Sequence, residues 1–180
     1  MTGGKIFRGT QGAAGDIGHI QFNSDDAPLC RCGKLGCVEA RAGGWAIARH
    51  LSSQGFKAEN ARDVISLVET QQPEALMLLR GAGRVIGEVA ADVVSILNPS
   101  LIVVGGTLAR GGEVLLSGIR ELVYQRCLPL ATRELQIVLA DPPKDSVLFG
   151  AAFLALEDVF SHVNVGGLIE RLGAYHAQGR

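Results

Sequence analysis

Residues 16–39 read DIGHIQFNSDDAPLCRCGKLGCVE and hold three of the chain's four cysteines, Cys30, Cys32 and Cys37, with His19 a short loop upstream. Written as ligand spacing, the stretch is H-x10-C-x-C-x4-C. Three thiolates and an imidazole are the donor set of a closed, tetrahedral structural zinc site. Gly33 and Gly36 fall between the second and third cysteines, where a short loop must turn its sulfurs inward to one point. Disulfides are the poorer reading: no secretory signal precedes the stretch, and cysteines one residue apart make a strained pair. Unpaired core thiols are the remaining alternative. Cys127, far downstream, has no companion at ligand spacing and reads as a core residue.

The surroundings of these residues carry a family resemblance. GAAGDIGH at 12–19, followed by CRCGKLGCVE at 30–39, resembles the signature of the ROK family, which contains bacterial sugar kinases and sugar-responsive transcriptional repressors. The resemblance implies that His19, Cys30, Cys32 and Cys37 bind a structural Zn2+, within a zinc-binding loop spanning 19–37. It also implies that Asp16, His19 and Glu39 face a sugar. Physical logic supports the second role, because a carboxylate accepts hydrogen bonds from hydroxyls, and a metal-bound imidazole keeps its other ring nitrogen free. The kinases usually carry glutamate where this chain has Asp16, one methylene shorter, and aspartate there looks more like the regulators.

Composition bounds the rest. The chain has 180 residues, 47% hydrophobic and 5% aromatic, with 24 glycines scattered among apolar runs. That suits an α/β protein rich in small aliphatic residues. Net charge is −1 and no basic cluster is visible, so the chain by itself is not expected to bind nucleic acid. No apolar run reaches membrane-spanning length, and a cytoplasmic protein is expected.

Taken in order, residues 5–8 and 17–22 read as paired strands between glycine turns, with Gly3-Gly4 as a hairpin turn whose partner strand would lie further upstream. In ROK proteins that upstream part holds two phosphate-binding loops and the catalytic aspartate. None of these is present here, and Asp25, Asp26 and Asp63 read as surface or capping residues rather than substitutes. A helix is expected from Glu39 to about Ser53, with Gly55 as its stop, and another over 62–70. A long one follows from Pro73 to Leu97, ended by Asn98-Pro99. Gly81, Gly83 and Gly87 within it suggest close packing against a neighbour.

Leu101–Gly106 reads as a buried strand entering a Gly-Gly turn, then a helix over 113–126. The run from Asn98 to Gly106 resembles the ROK adenosine-side motif, which implies that in a kinase Gly105, Gly106 and Thr107 line the nucleotide. Residues 128–133 read as a connector into a strand over 135–140. Asp145 or Ser146 then caps a helix through about Phe160, with Gly150, Ala151 and Ala152 as a small-residue packing face. The last twenty residues read as a loosely attached tail. His50, His162 and His176 lack ligand-spaced companions and read as surface or packing residues.

The resemblance therefore implies the C-terminal lobe of an actin-like ATPase, ribonuclease H-like sugar-kinase fold, filling residues 1–180. The N-terminal lobe and any winged helix-turn-helix are expected to lie outside the chain. The reading is the sugar-sensing domain of a ROK-type regulator, with a sugar or sugar phosphate as effector and a homo-oligomer as the assembly. DNA would be reached only through the absent N-terminal domain. The alternative is part of a ROK sugar kinase of glucokinase or N-acetylhexosamine kinase type. That reading requires ATP and Mg2+, and a catalytic aspartate this sequence lacks.

Overall fold

The computed structural model describes residues 6–141, 146–161, 164–167 and 169–170. Gly3, Gly4, Lys5, Asp145, His162 and His176 lie outside the described residues, as does most of the tail. The chain divides into two compact units, Met1–Ala140 and Asp141–Arg180.

The first unit is organised on α4 (Pro73–Leu97), whose bounds match the sequence reading. Pro73 opens the helix where a missing N–H costs nothing, and Asn98 closes it in the left-handed conformation immediately before Pro99. Against α4 runs α5 (Glu113–Arg126). At their crossing, a Cβ on Gly83 would strike the carbonyl of Leu115, and one on Gly118 would strike the carbonyl of Arg80. A Cβ on Gly87 would come within 2.7 Å of the Ile119 carbonyl. The two backbones thus touch where both sequences supply glycine. Gly81 does not share this role: a side chain there would meet nothing within 4 Å, because it points away from α5. Leu79, Leu115, Leu116, Ile119, Val89, Val94 and Val123 fill the seam and are almost wholly buried. Cys127 joins this core, with its thiol against the Ala91 carbonyl.

Smaller helices lean on this pair. The helix expected over 39–53 is two: α1 (Val38–Ala42) and α2 (Gly44–Ser53), separated by an extended Gly43. The break lets Gly44 come up against Ala61 at the start of α3 (Ala61–Glu69), where any side chain on Gly44 would collide. Asn60 and Asp63 cap α3 reciprocally, which accounts for Asp63 as a helix-start residue. Asp25 and Asp26 are exposed, as expected.

The sheet has two parallel strands, β1 (Leu101–Val104) and β2 (Gln136–Leu139), in register Leu101↔Gln136 to Val104↔Leu139. β1 is not the buried strand its apolar sequence suggests. Ile102 and Val104 face the helices, whereas Leu101 and Val103 are 49% and 54% exposed, because helices cover only one face of the sheet in this unit. Parallel strands ordinarily have both faces covered. The connector over 128–133 contains a short helix, α6 (Pro129–Thr132), with proline again in the first turn.

The paired strands expected over 5–8 and 17–22 do not form among the described residues. Arg8 instead accepts a bond from Ala14 N–H, and Ile17–His19 is a 3-10 turn. The backbone of residues 20–22 pairs forward with the cysteine loop, leaving nothing to hold a ladder to residues 6–8.

The second unit contains α7 (Ser146–Val159), an almost continuously apolar helix. Its expected small-residue packing face is open at Gly150, where a side chain would meet nothing within 4 Å.

Candidate metal centre

Three short pieces of chain converge at the start of α1. His19 ends the 3-10 turn. Cys30 and Cys32 sit in a tight turn closed by Cys30 N–H to Lys34 O (2.8 Å) and Gly33 N–H to Cys30 O (2.9 Å). Cys37 is the residue immediately preceding α1. Phe22 N–H to Gly36 O, Val38 N–H to Ile20 O and the Gln21 side-chain amide to Leu35 O (2.8–2.9 Å) stitch the histidine segment to the cysteine loop. The failed strand pair is thereby explained: those backbone groups are used to aim His19 at the sulfurs.

The donor atoms of His19, Cys30, Cys32 and Cys37 all lie within 4.8 Å of one another. Cys32 Sγ is 3.7 Å from Cys37 Sγ, and Cys30 Sγ is 3.8 Å from His19 Nδ1. A regular tetrahedron with zinc–sulfur bonds of about 2.3 Å and zinc–nitrogen of about 2.0 Å has edges of about 3.8 and about 3.5 Å. The four side chains therefore fit such an ion in donor type and spacing. The cysteines are free, and 3.7 Å between sulfurs is far from a disulfide bond.

Their environments differ. Cys30 and Cys37 are buried while Cys32 is exposed. The Lys34 backbone N–H, hydrogen-bonded to Cys32, draws its thiol pKa below the ordinary value. Burial pushes Cys37 up to about 11, helped by the neighbouring Cys32 and Cys30 sulfurs. Cys32 thus gives up its proton more easily than Cys37, which stays protonated at neutral pH in the absence of a cation.

With Nδ1 turned to Cys30, the Nε2 of His19 lies 3.8 Å from Glu39 Oε2. Glu39 stands in the first turn of α1, and its other oxygen, Oε1, accepts a 2.9 Å hydrogen bond from the indole N–H of Trp45. Asp16 is exposed and flanks the same place, since a Cβ on Gly18 would lie 3.5 Å from Asp16 Oδ1 and 3.9 Å from Glu39 Cβ. Asp16, His19 and Glu39 therefore border one half-open corner beside the thiols. Gly105, Gly106 and Thr107 form the exposed turn leaving β1, a different element. No sequence expectation attached to Trp45. The available signal was that the chain's single tryptophan follows Glu39 by six residues. His50 is exposed and stands near Gln54 on α2, away from any ligand set.

Comparison with known proteins places this corner in context. The ROK family matches residues 1–158. The chain is 26% identical to a glucokinase of Thermotoga maritima over 174 residues, covering 88% of this chain and 54% of the glucokinase. It is 27% identical to a xylose repressor of Caldicellulosiruptor bescii over 170 residues, covering 87% of this chain and 42% of the repressor. Among solved structures, a ROK family transcriptional regulator described as a homolog of the E. coli MLC protein superposes with a TM-score of 0.73 at 25% identity, over 83% of this chain and 40% of that one. The chain thus spans about half the length of the curated relatives it matches. Its fold is the α/β, actin-like ATPase fold of the sugar kinases and their regulator relatives. The chain belongs to the ROK family.

Proposed function

We propose that this chain is the zinc-stabilised, sugar-sensing part of a ROK-type transcriptional regulator. The observation that carries the reading is the shared corner: His19 offers one ring nitrogen to the thiols and the other to Glu39. Zinc, when bound, supplies a rigid tetrahedral anchor. The protein's own groups do the reading. Glu39 and Asp16 accept hydrogen bonds from sugar hydroxyls, and His19, held in the tautomer with hydrogen on Nε2, donates one. Aspartate at position 16 favours a regulator over a kinase. DNA binding falls to a segment outside these residues, the assembly is a homo-oligomer, and the setting is cytoplasmic. Among the described residues, no helix is long and apolar enough to cross a membrane.

The second reading, part of a sugar kinase, is favoured by Asn98–Gly106 and by the glucokinase likeness. There Gly105, Gly106 and Thr107 would meet ATP and Mg2+. One pair of titrations separates the two, since this sequence lacks the kinases' catalytic aspartate and turnover is silent between them. The purified chain is titrated calorimetrically with glucose, xylose and N-acetylmannosamine, then with Mg-ATP. Saturable sugar binding with no binding of Mg-ATP is the expected result. Saturable Mg-ATP binding contradicts the regulator reading.

A further inference from the structure

Trp45 sits at the junction of three groups beside the metal corner, Glu39, Arg31 and Arg49. Its indole N–H donates to Glu39 Oε1 at 2.9 Å. The Arg31 guanidinium lies 4.5 Å from the ring centroid, and that of Arg49, one turn further along α2, lies 5.0 Å away. Both distances are within cation–π range. Arg31 is the residue between Cys30 and Cys32, so a metal gripping both sulfurs grips Arg31 at both ends. Gly43 makes room for the arrangement: a Cβ there would lie 3.3 Å from both Glu39 Cγ and Trp45 Nε1 and would strike the Glu39 carbonyl. The contacts close a ring. It runs from the thiols through Arg31 to the indole, from the indole to Glu39, and from Glu39 Oε2 back to His19 at 3.8 Å.

We infer that Trp45 is a positioning residue that transmits metal occupancy at the four-ligand corner to the carboxylate of Glu39, so that the sugar-reading orientation of Glu39 exists only in the metal-loaded protein. The inference rests on the proposed sugar role of Glu39 for its consequence, but its structural half stands on the contacts alone. A tryptophan serving only as packing against Cys30, Cys37 and Ala40 would need neither the N–H bond nor the stacked arginines. The N–H bond reaches a charged acceptor in a part-buried setting, where such bonds are among the stronger ones.

Trp45 is the chain's only tryptophan, so the 15N-labelled 180-residue protein gives one indole N–H resonance in a proton–nitrogen correlation spectrum. In the zinc-loaded protein that resonance is expected away from the free-indole position. It should move toward that position when zinc is chelated and return when zinc is restored. In R31A it should lie part-way toward the metal-free position while zinc content stays at the wild-type level. A resonance indifferent to zinc removal overturns the inference. Saturating hexose should move it again; a zinc response without a hexose response contradicts the sugar role of Glu39 and leaves the coupling standing. The variant W45F keeps the aromatic face but loses the N–H. It should retain zinc and lower hexose affinity by about tenfold, the loss of one hydrogen bond to a charged group. Where hexose moves the wild-type resonance, unchanged affinity in a zinc-loaded W45F also overturns the inference.

Discussion

The cysteine corner and the α4–α5 pair fix bends of the chain by opposite means. Where α4 crosses α5, glycines on both helices let the backbones touch, and an apolar seam from Leu79 to Val123 closes around them. The cysteine corner buries little beyond Cys30, Cys37 and Ala40, with Trp45 packed against them. It relies on four donors, a few backbone bonds and a ring of polar contacts. One region is held by exclusion of water; the other, on the proposed reading, by chemistry that needs an ion. The scaffold and the site should therefore fail separately.

The sharpest way to break that comparison is at the helix crossing. Gly83→Leu drives a side chain into the Leu115 carbonyl and should cost about 3 kcal/mol or more, read as a lower urea midpoint. Gly81→Ala, two residues earlier in the same helix, meets open space and should stabilise by about 1 kcal/mol, the ordinary helix preference of alanine over glycine. Equal effects at the two positions would refute the crossing geometry.

Cys37→Ser should abolish tight metal binding while the far-ultraviolet circular dichroism changes little, since the α4–α5 seam is closed by its own apolar side chains. A collapse of helical signal on chelation would merge the two regions into one. Zinc uptake should release protons at neutral pH, at least one from Cys37, whose thiol stands at about 11 without metal. Calorimetric titration in buffers of different ionisation enthalpy measures this, and zinc affinity should fall as pH is lowered.

The smallest effect belongs to the surface. Glu121 accepts from Arg80 and Arg84, which hold its carboxyl below the ordinary 4.5. Its folded pKa lies below its unfolded one, so its contribution is complete above about 4.5 and disappears as pH falls through the folded value. For a pair this exposed, Glu121→Gln should shift the denaturation midpoint only slightly at pH 7, and by less still as pH falls through the folded value.

Much of this molecule was legible because local chemistry and tertiary demand agree. Pro73 and Asn98-Pro99 bracket α4 in the sequence as they do in the structure, and the cysteine spacing announced its cluster. Elsewhere a distant contact decided. Gly43 breaks the expected helix so that Gly44 can meet Ala61, which no periodicity records. Residues 17–22 alternate like a strand, yet their backbone groups bond to the cysteine loop. β1 has the composition of a buried strand, but burial belongs to its neighbours. Little in the sequence marked Trp45 beyond its being the chain's single tryptophan, because a partner six residues back on another helix fits no helical periodicity.

The most direct test of the central claim is a hexose titration of one preparation in three states, with zinc counted in each: loaded, chelated and reloaded. The account predicts one zinc per chain, saturable binding in the loaded and reloaded protein, and none in the chelated protein despite an intact helical spectrum. Hexose binding that survives complete zinc removal would contradict it.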